Sequence, residues 1–153
     1  MRLLLILLLH LGYNSTFACE CWGDRHLNDK NIIAANIIIK GKIQHIDTLD
    51  NYKILHVIIE RKYKGSKEIN EKSLIIIKTP KDTSVCGLNV SVNQNWLFLA
   101  YQNYNGLFTD ACSRSQNINS SKKEDQNIYK YNLAFLERKR NLDHKRKNKR
   151  KSN

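Results

Sequence analysis

The stretch YKILHVIIERKYKG, residues 52–65, sets Leu55, Val57 and Ile59 against Lys53, His56 and Glu60. A period of two sends successive side chains to opposite faces of an extended chain, so the stretch reads as a long strand. It ends in the turn signal Lys64-Gly65-Ser66. Working outward, IIAANIIIKGKIQHI (residues 32–46) is rich in Ile, and Gly41 inside it marks a bend or bulge in a strand. SLIIIKTP (73–80) is a third strand, stopped by the only proline, Pro80. NWLFLAYQ (95–102) is a fourth, and GLFTDACS (106–113) a short fifth opened by Gly106. Five strands at turn-punctuated spacing, with no helical pattern between them, predict a mainly β domain: a small antiparallel barrel or sandwich. His45 and His56 fall within strands and read as surface or rim residues rather than ligands.

The chain opens with one arginine and a run of Leu and Ile, MRLLLILLLHLG, followed by small and polar residues up to Ala18. The run is too short to span a bilayer, and the pattern is that of a secretory signal peptide over residues 1–18. A cut before Cys19 puts Thr16 and Ala18 at the −3 and −1 positions. The expected product is a secreted, extracellular protein with no membrane insertion, long enough for one compact domain. Cysteines in that compartment are expected to pair. Cys19, Cys21, Cys86 and Cys112 allow three pairings. Joining Cys19 to Cys21 would close a very tight ring, which leaves two crosswise arrangements. Either one ties the start of the mature chain to distant positions and stabilises by about 4 kcal/mol per bridge in the chain-entropy model. The alternative, a four-cysteine zinc site, usually carries Cys-x-x-Cys knuckles, and the sequence has none.

Past residue 113 the composition changes. Ser121 stands three residues before Glu124, as in a capping box, and Ile128, Tyr131, Phe135 and Leu136 follow at helical spacing. An amphipathic helix packed on the barrel is expected, closing a domain of residues 19–136. From Glu137 onward nine Lys or Arg face two acids, net +7 of the chain's +12. Residues 137–153 are therefore expected to be a solvated, disordered basic tail. Outside the cell such a segment suits sulfated glycans, held by salt-sensitive attraction; a nucleic-acid partner does not fit the leader. Asn89 and Asn119 head two glycosylation sequons, Asn89-Val-Ser91 and Asn119-Ser-Ser121. No Gly-x-Ser-x-Gly, His-Glu-x-x-His or phosphate-binding glycine loop occurs, so no enzyme, cofactor or metal of the chain's own is expected.

Several fragments share an order with a known family. CEC at the expected mature terminus, IIIKGKI, RKYKG, KTPKDTSVCG and GLFTDACS resemble the amino-terminal domain of the tissue inhibitors of metalloproteinases, from Cys19 to about Ser113. The resemblance implies a five-stranded Greek-key barrel of the OB type, the netrin-like module, with bridges Cys19–Cys86 and Cys21–Cys112. It also implies an inhibitory mechanism. The free α-amino nitrogen and carbonyl oxygen of Cys19 would chelate the catalytic zinc of a metalloproteinase. Glu20 would point into the S1′ pocket beside that zinc, and Cys21, Ser84 and Val85 would complete the contact. Where this chain has Glu20, the family usually has Thr or Ser, and Trp22-Gly23 replaces a proline-containing segment.

Overall fold

The computed structural model describes Cys19, Cys21 and residues 24–151. The expected signal peptide, Glu20 and Trp22-Gly23 lie outside the described residues. Among the described residues six strands form: β1 (Ile37–Thr48), β2 (Tyr52–Lys64), β3 (Leu74–Pro80), β4 (Asn95–Asn103), β5 (Gly106–Phe108) and β6 (Gln116–Asn117). The α-helices among the described residues are α1 (Asp29–Ala34) and α2 (Lys123–Lys151). The sheet order is β1-β2-β3-β5-β4-β6, and an additional β1–β4 pairing closes the first five strands into a ring. Among the described residues only the β3–β5 pair is parallel. The result is a closed, five-stranded OB-like Greek-key barrel.

β1 is able to pair with both neighbours because it is bent. Its register against β2 shifts between Lys40 and Gly41, where the sequence marks a bulge. A Cβ at Gly41 would stand 2.6 Å from Val57 Cγ1 and 2.8 Å from the Ile58 carbonyl oxygen, so the two strands cross closely there.

Alternation then divides the apolar residues between two cores. Ile37, Ile39 and Ile43, Leu55, Val57 and Ile59, Ile77, and Trp96, Phe98 and Ala100 fill the barrel. The intervening Ile38, Leu97 and Leu99 point outward and are just as buried, beneath Leu27, Ala35 and Leu136. This is why residues 37–39 and 96–100 read as unbroken apolar runs: both faces of these two segments are covered. The expected alternation in β2 holds, with Leu55, Val57 and Ile59 fully buried.

Four sequence expectations are corrected. Ile32 and Ile33 belong to α1, not to a strand; Asn28 and Asn31 exchange reciprocal side-chain-to-backbone bonds of 3.1 and 3.0 Å that start the helix. The fifth strand ends at Phe108: Thr109 N completes the pairing to the Lys78 carbonyl of β3, and the chain then enters a one-turn 3-10 helix at Ala111–Ser113. At the start of α2 the hydroxyl that acts is that of Ser120, which accepts from Lys122 N and donates to Asp125.

The fourth correction concerns the basic tail. α2 does not stop at Leu136 but runs for 29 residues to Lys151, a length of about 43 Å at the standard rise. No Gly or Pro interrupts it, and Lys and Arg are good helix formers. Packing of Ile128 and Leu136 supplies the costly nucleus, after which extension is cheap, and cations at the carboxyl end complement the helix dipole. Beyond Arg140 every described side chain is exposed, so the segment is solvated as expected though helical. Among the described residues, no helix is long and apolar enough to cross a membrane.

Candidate functional site

Cys86 and Cys112 sit at matching places: each closes or lies within a one-turn 3-10 helix, Thr83–Val85 and Ala111–Ser113. Both turns end in a left-handed residue, Cys86 at φ 66° and Arg114 at φ 69°. The first turn is folded tightly back on β3. Gly87 N donates to the Asp82 carbonyl at 2.9 Å and Leu88 N to Thr79 Oγ1 at 3.1 Å. A Cβ at Gly87 would collide with the Pro80 and Asp82 carbonyl oxygens, so the position demands glycine. Ala111 N donates to the Cys86 carbonyl at 2.8 Å and joins the two turns directly. The second turn is held by a buried hydroxyl cluster. Thr109 Oγ1 donates to the Leu99 carbonyl at 2.9 Å, Ser113 Oγ donates to the Asp110 carbonyl at 2.6 Å, and Ser115 Oγ lies 2.8 Å from Thr109 Oγ1.

Onto this base two disulfides strap the Cys-x-Cys pair. They join Cys19 to Cys86 and Cys21 to Cys112, each with 5.0 Å between Cα atoms. One crosswise arrangement is thereby realised, the one that the family resemblance implies. The bridges pack against each other: Cys19 Sγ lies 3.9 Å from both Cys21 Sγ and Cys112 Sγ, and all four sulfurs fall within 4.8 Å. With every cysteine bridged, the sulfurs are not metal ligands here.

The chain leaving Cys21 is pinned to the second core. Asp24 Oδ1 accepts from His26 N at 2.9 Å, which holds its carboxyl below the usual range. Arg25 pairs with Asp125 at 2.6 Å. Leu27 N donates to Asn132 Oδ1 at 2.7 Å, and Asn132 Nδ2 donates to the Arg25 carbonyl and to Gln116 Oε1. Asn132 is completely buried and fully engaged, a polar residue on the face of α2 where the sequence pattern looks only for apolar ones. Tyr131, expected in that face, is half exposed and meets the His26 ring edge-on at 4.6 Å.

Of the sequence-derived site residues, Cys19, Cys21, Cys86 and Cys112 meet in one cluster, and Ser84 and Val85 are exposed on the turn leading into Cys86. Val85 retains 60 % of its surface. Glu20 lies outside the described residues. Asn89 and Asn119 are both exposed, although Asn119 Oδ1 already accepts from Asn95 N at 2.7 Å. The supports that sequence reasoning missed are Asn132, Gln116 and the Thr109–Ser113–Ser115 hydroxyls. Comparison of the chain with protein-family models and with curated proteins finds no match.

Proposed function

We propose that the chain is a secreted inhibitor of zinc metalloproteinases, with Cys19 as the first residue of the mature protein. One observation carries the reading: a Cys-x-Cys pair bridged to two interlocked turns beside an exposed Ser84-Val85 segment. The resemblance of the ordered sequence fragments to the tissue inhibitors of metalloproteinases supports it, as does the OB-like barrel.

Both chelating groups of the mechanism are backbone groups of Cys19. After the cut before Cys19, the α-amine and the carbonyl oxygen of that residue form a five-membered N,O chelate. A catalytic zinc keeps a position open for water; the chelate would displace that water, with its second donor raising the coordination number by one. The α-amine has an ordinary pKa of about 7.7–8.0, so a useful fraction is neutral near pH 7, and the zinc draws out more. The Cys19–Cys86 bridge holds the chelating residue in place before binding, which reduces the ordering entropy lost in the complex. Cys21 and the Ser84-Val85 turn then contact the enzyme on either side, and Glu20 enters its S1′ pocket.

Two measurements test this. Amino-terminal sequencing of the secreted product should begin at Cys19, and that product should inhibit at least one zinc endopeptidase at one-to-one stoichiometry. A product beginning at Cys19 that inhibits none of a broad panel contradicts the proposal.

A second reading is a non-inhibitory netrin-like module that docks on sulfated glycans. The exposed, basic end of α2 favours it. Truncation after Asp143 removes six Lys or Arg without touching the packed half of the helix. It should lower the salt needed to elute the protein from heparin; unchanged elution removes α2 as the docking element.

A further inference from the structure

Away from the disulfides, the outer surface of the β1–β2 hairpin carries three groups able to bind a metal ion. His45 and His56 are direct cross-strand partners, and Asp47 follows His45 by two residues, on the same face. The carboxylate of Asp47 lies between the two rings. His45 Nε2 is 2.9 Å from Asp47 Oδ1, His56 Nε2 is 2.7 Å from Oδ2, and the ring centroids are 5.4 Å apart.

We infer that His45, Asp47 and His56 form a surface site for a divalent transition-metal ion of the Zn²⁺, Ni²⁺ or Cu²⁺ class. Two imidazole nitrogens with one carboxylate oxygen make a mixed N,O donor set, which suits these ions; Mg²⁺ and Ca²⁺ want a shell of oxygens. An ion bound at about 2.0–2.2 Å by each ligand holds its donors roughly 3–3.5 Å apart, close to the two nitrogen–oxygen separations present. The backbone under all three residues is fixed by strand pairing, so only side-chain torsions have to adjust. The movement falls to the His45 side chain, which is 64 % exposed and swings in toward His56. Each neutral imidazole carries its N–H at Nδ1 in the bound form and turns the Nε2 lone pair to the ion. The ionised carboxylate offsets part of the ion's charge. Three ligands leave the remaining position to water or to a donor from another molecule.

The test is a zinc titration of the full mature protein, followed by calorimetry and by the ring-nitrogen NMR signals of the histidines. One Zn²⁺ should bind per hairpin site, with the ring signals of His45 and His56 moving together. His45→Ala and His56→Ala should each weaken that binding at least about tenfold, and Asp47→Asn should weaken it less, since an amide oxygen keeps a poorer donor in place. Circular dichroism of the variants checks that the barrel is intact. Absence of binding at zinc concentrations on the order of 1 mM overturns the inference. Zinc binding that is indifferent to both histidine substitutions overturns it too, as does an equal response to Mg²⁺.

Discussion

Asn132 ties two other segments of the chain to α2. It satisfies Leu27 N, the Arg25 carbonyl and Gln116 Oε1 from a completely buried position. Asn132→Leu keeps a similar volume but strands the Leu27 amide and the Gln116 side chain. It should lower the unfolding free energy by about 1–3 kcal/mol in urea titrations, the cost of leaving buried polar groups unpaired. An unchanged midpoint would mean that the latch is idle. Gly87→Ala drives a Cβ into the Pro80 and Asp82 carbonyl oxygens and opens the turn that carries Cys86. A loss of about 1–3 kcal/mol is expected from overpacking of this kind, with slower formation of the Cys19–Cys86 bridge on refolding. Equal stability and equal refolding would contradict the tight-turn argument. At Glu20, replacement by Thr should tighten binding to proteinases with apolar S1′ pockets, because an unpaired carboxylate is costly to bury there. Inhibition constants across a panel decide it, and no gain would mean that the pocket is not engaged.

At the scale of elements, α2 is docked by charge as well as by apolar contact. The Ser120 hydroxyl and then Arg25 hold the Asp125 carboxyl below its ordinary 3.8. A depressed carboxylate pKa stabilises the fold above the ordinary value, and the contribution is lost as pH falls through the folded one. The stability gap between the protein and its Asp125→Asn variant should therefore be level near neutrality and close as pH drops below about 4. A gap that widens in acid contradicts the assignment. Tyr63, whose hydroxyl donates to Glu137 at 3.2 Å, ties the same helix to β2; burial first, and then the neighbouring carboxylate, keep that hydroxyl protonated. The strands were legible because period-two alternation survives wherever one face is buried, as in β2. α1 was not, since its Ile pair abuts the Ile run of β1 and the only local signal is the Asn28–Asn31 exchange. The length of α2 was hidden for another reason: composition measures charge, which forbids a core but does not forbid a helix. The hydroxyl cluster and the Asn132 latch depend on contacts between residues far apart in sequence, as with Leu27 and Asn132 at a separation of 105. No local pattern encodes them.

As a whole, the molecule is a closed barrel covered on one side by α1 and α2, with two interlocked straps at one cluster and a long basic helix. The straps close loops spanning 67 and 91 residues, so they stabilise the entire barrel while fixing Cys19 against Cys86. Fold and proposed activity thus draw on the same covalent bonds, whereas the basic end of α2 and the His45–Asp47–His56 cluster stand apart from them. The most direct measurement compares inhibition constants, against a susceptible zinc endopeptidase, for the protein that begins at Cys19 and for one carrying a single added alanine before it. The extra residue removes the amine from the chelating position and leaves both bridges and the barrel untouched. The account predicts that inhibition weakens at least about 100-fold, equivalent to some 2.8 kcal/mol of lost coordination. Equal inhibition by the two forms would contradict it.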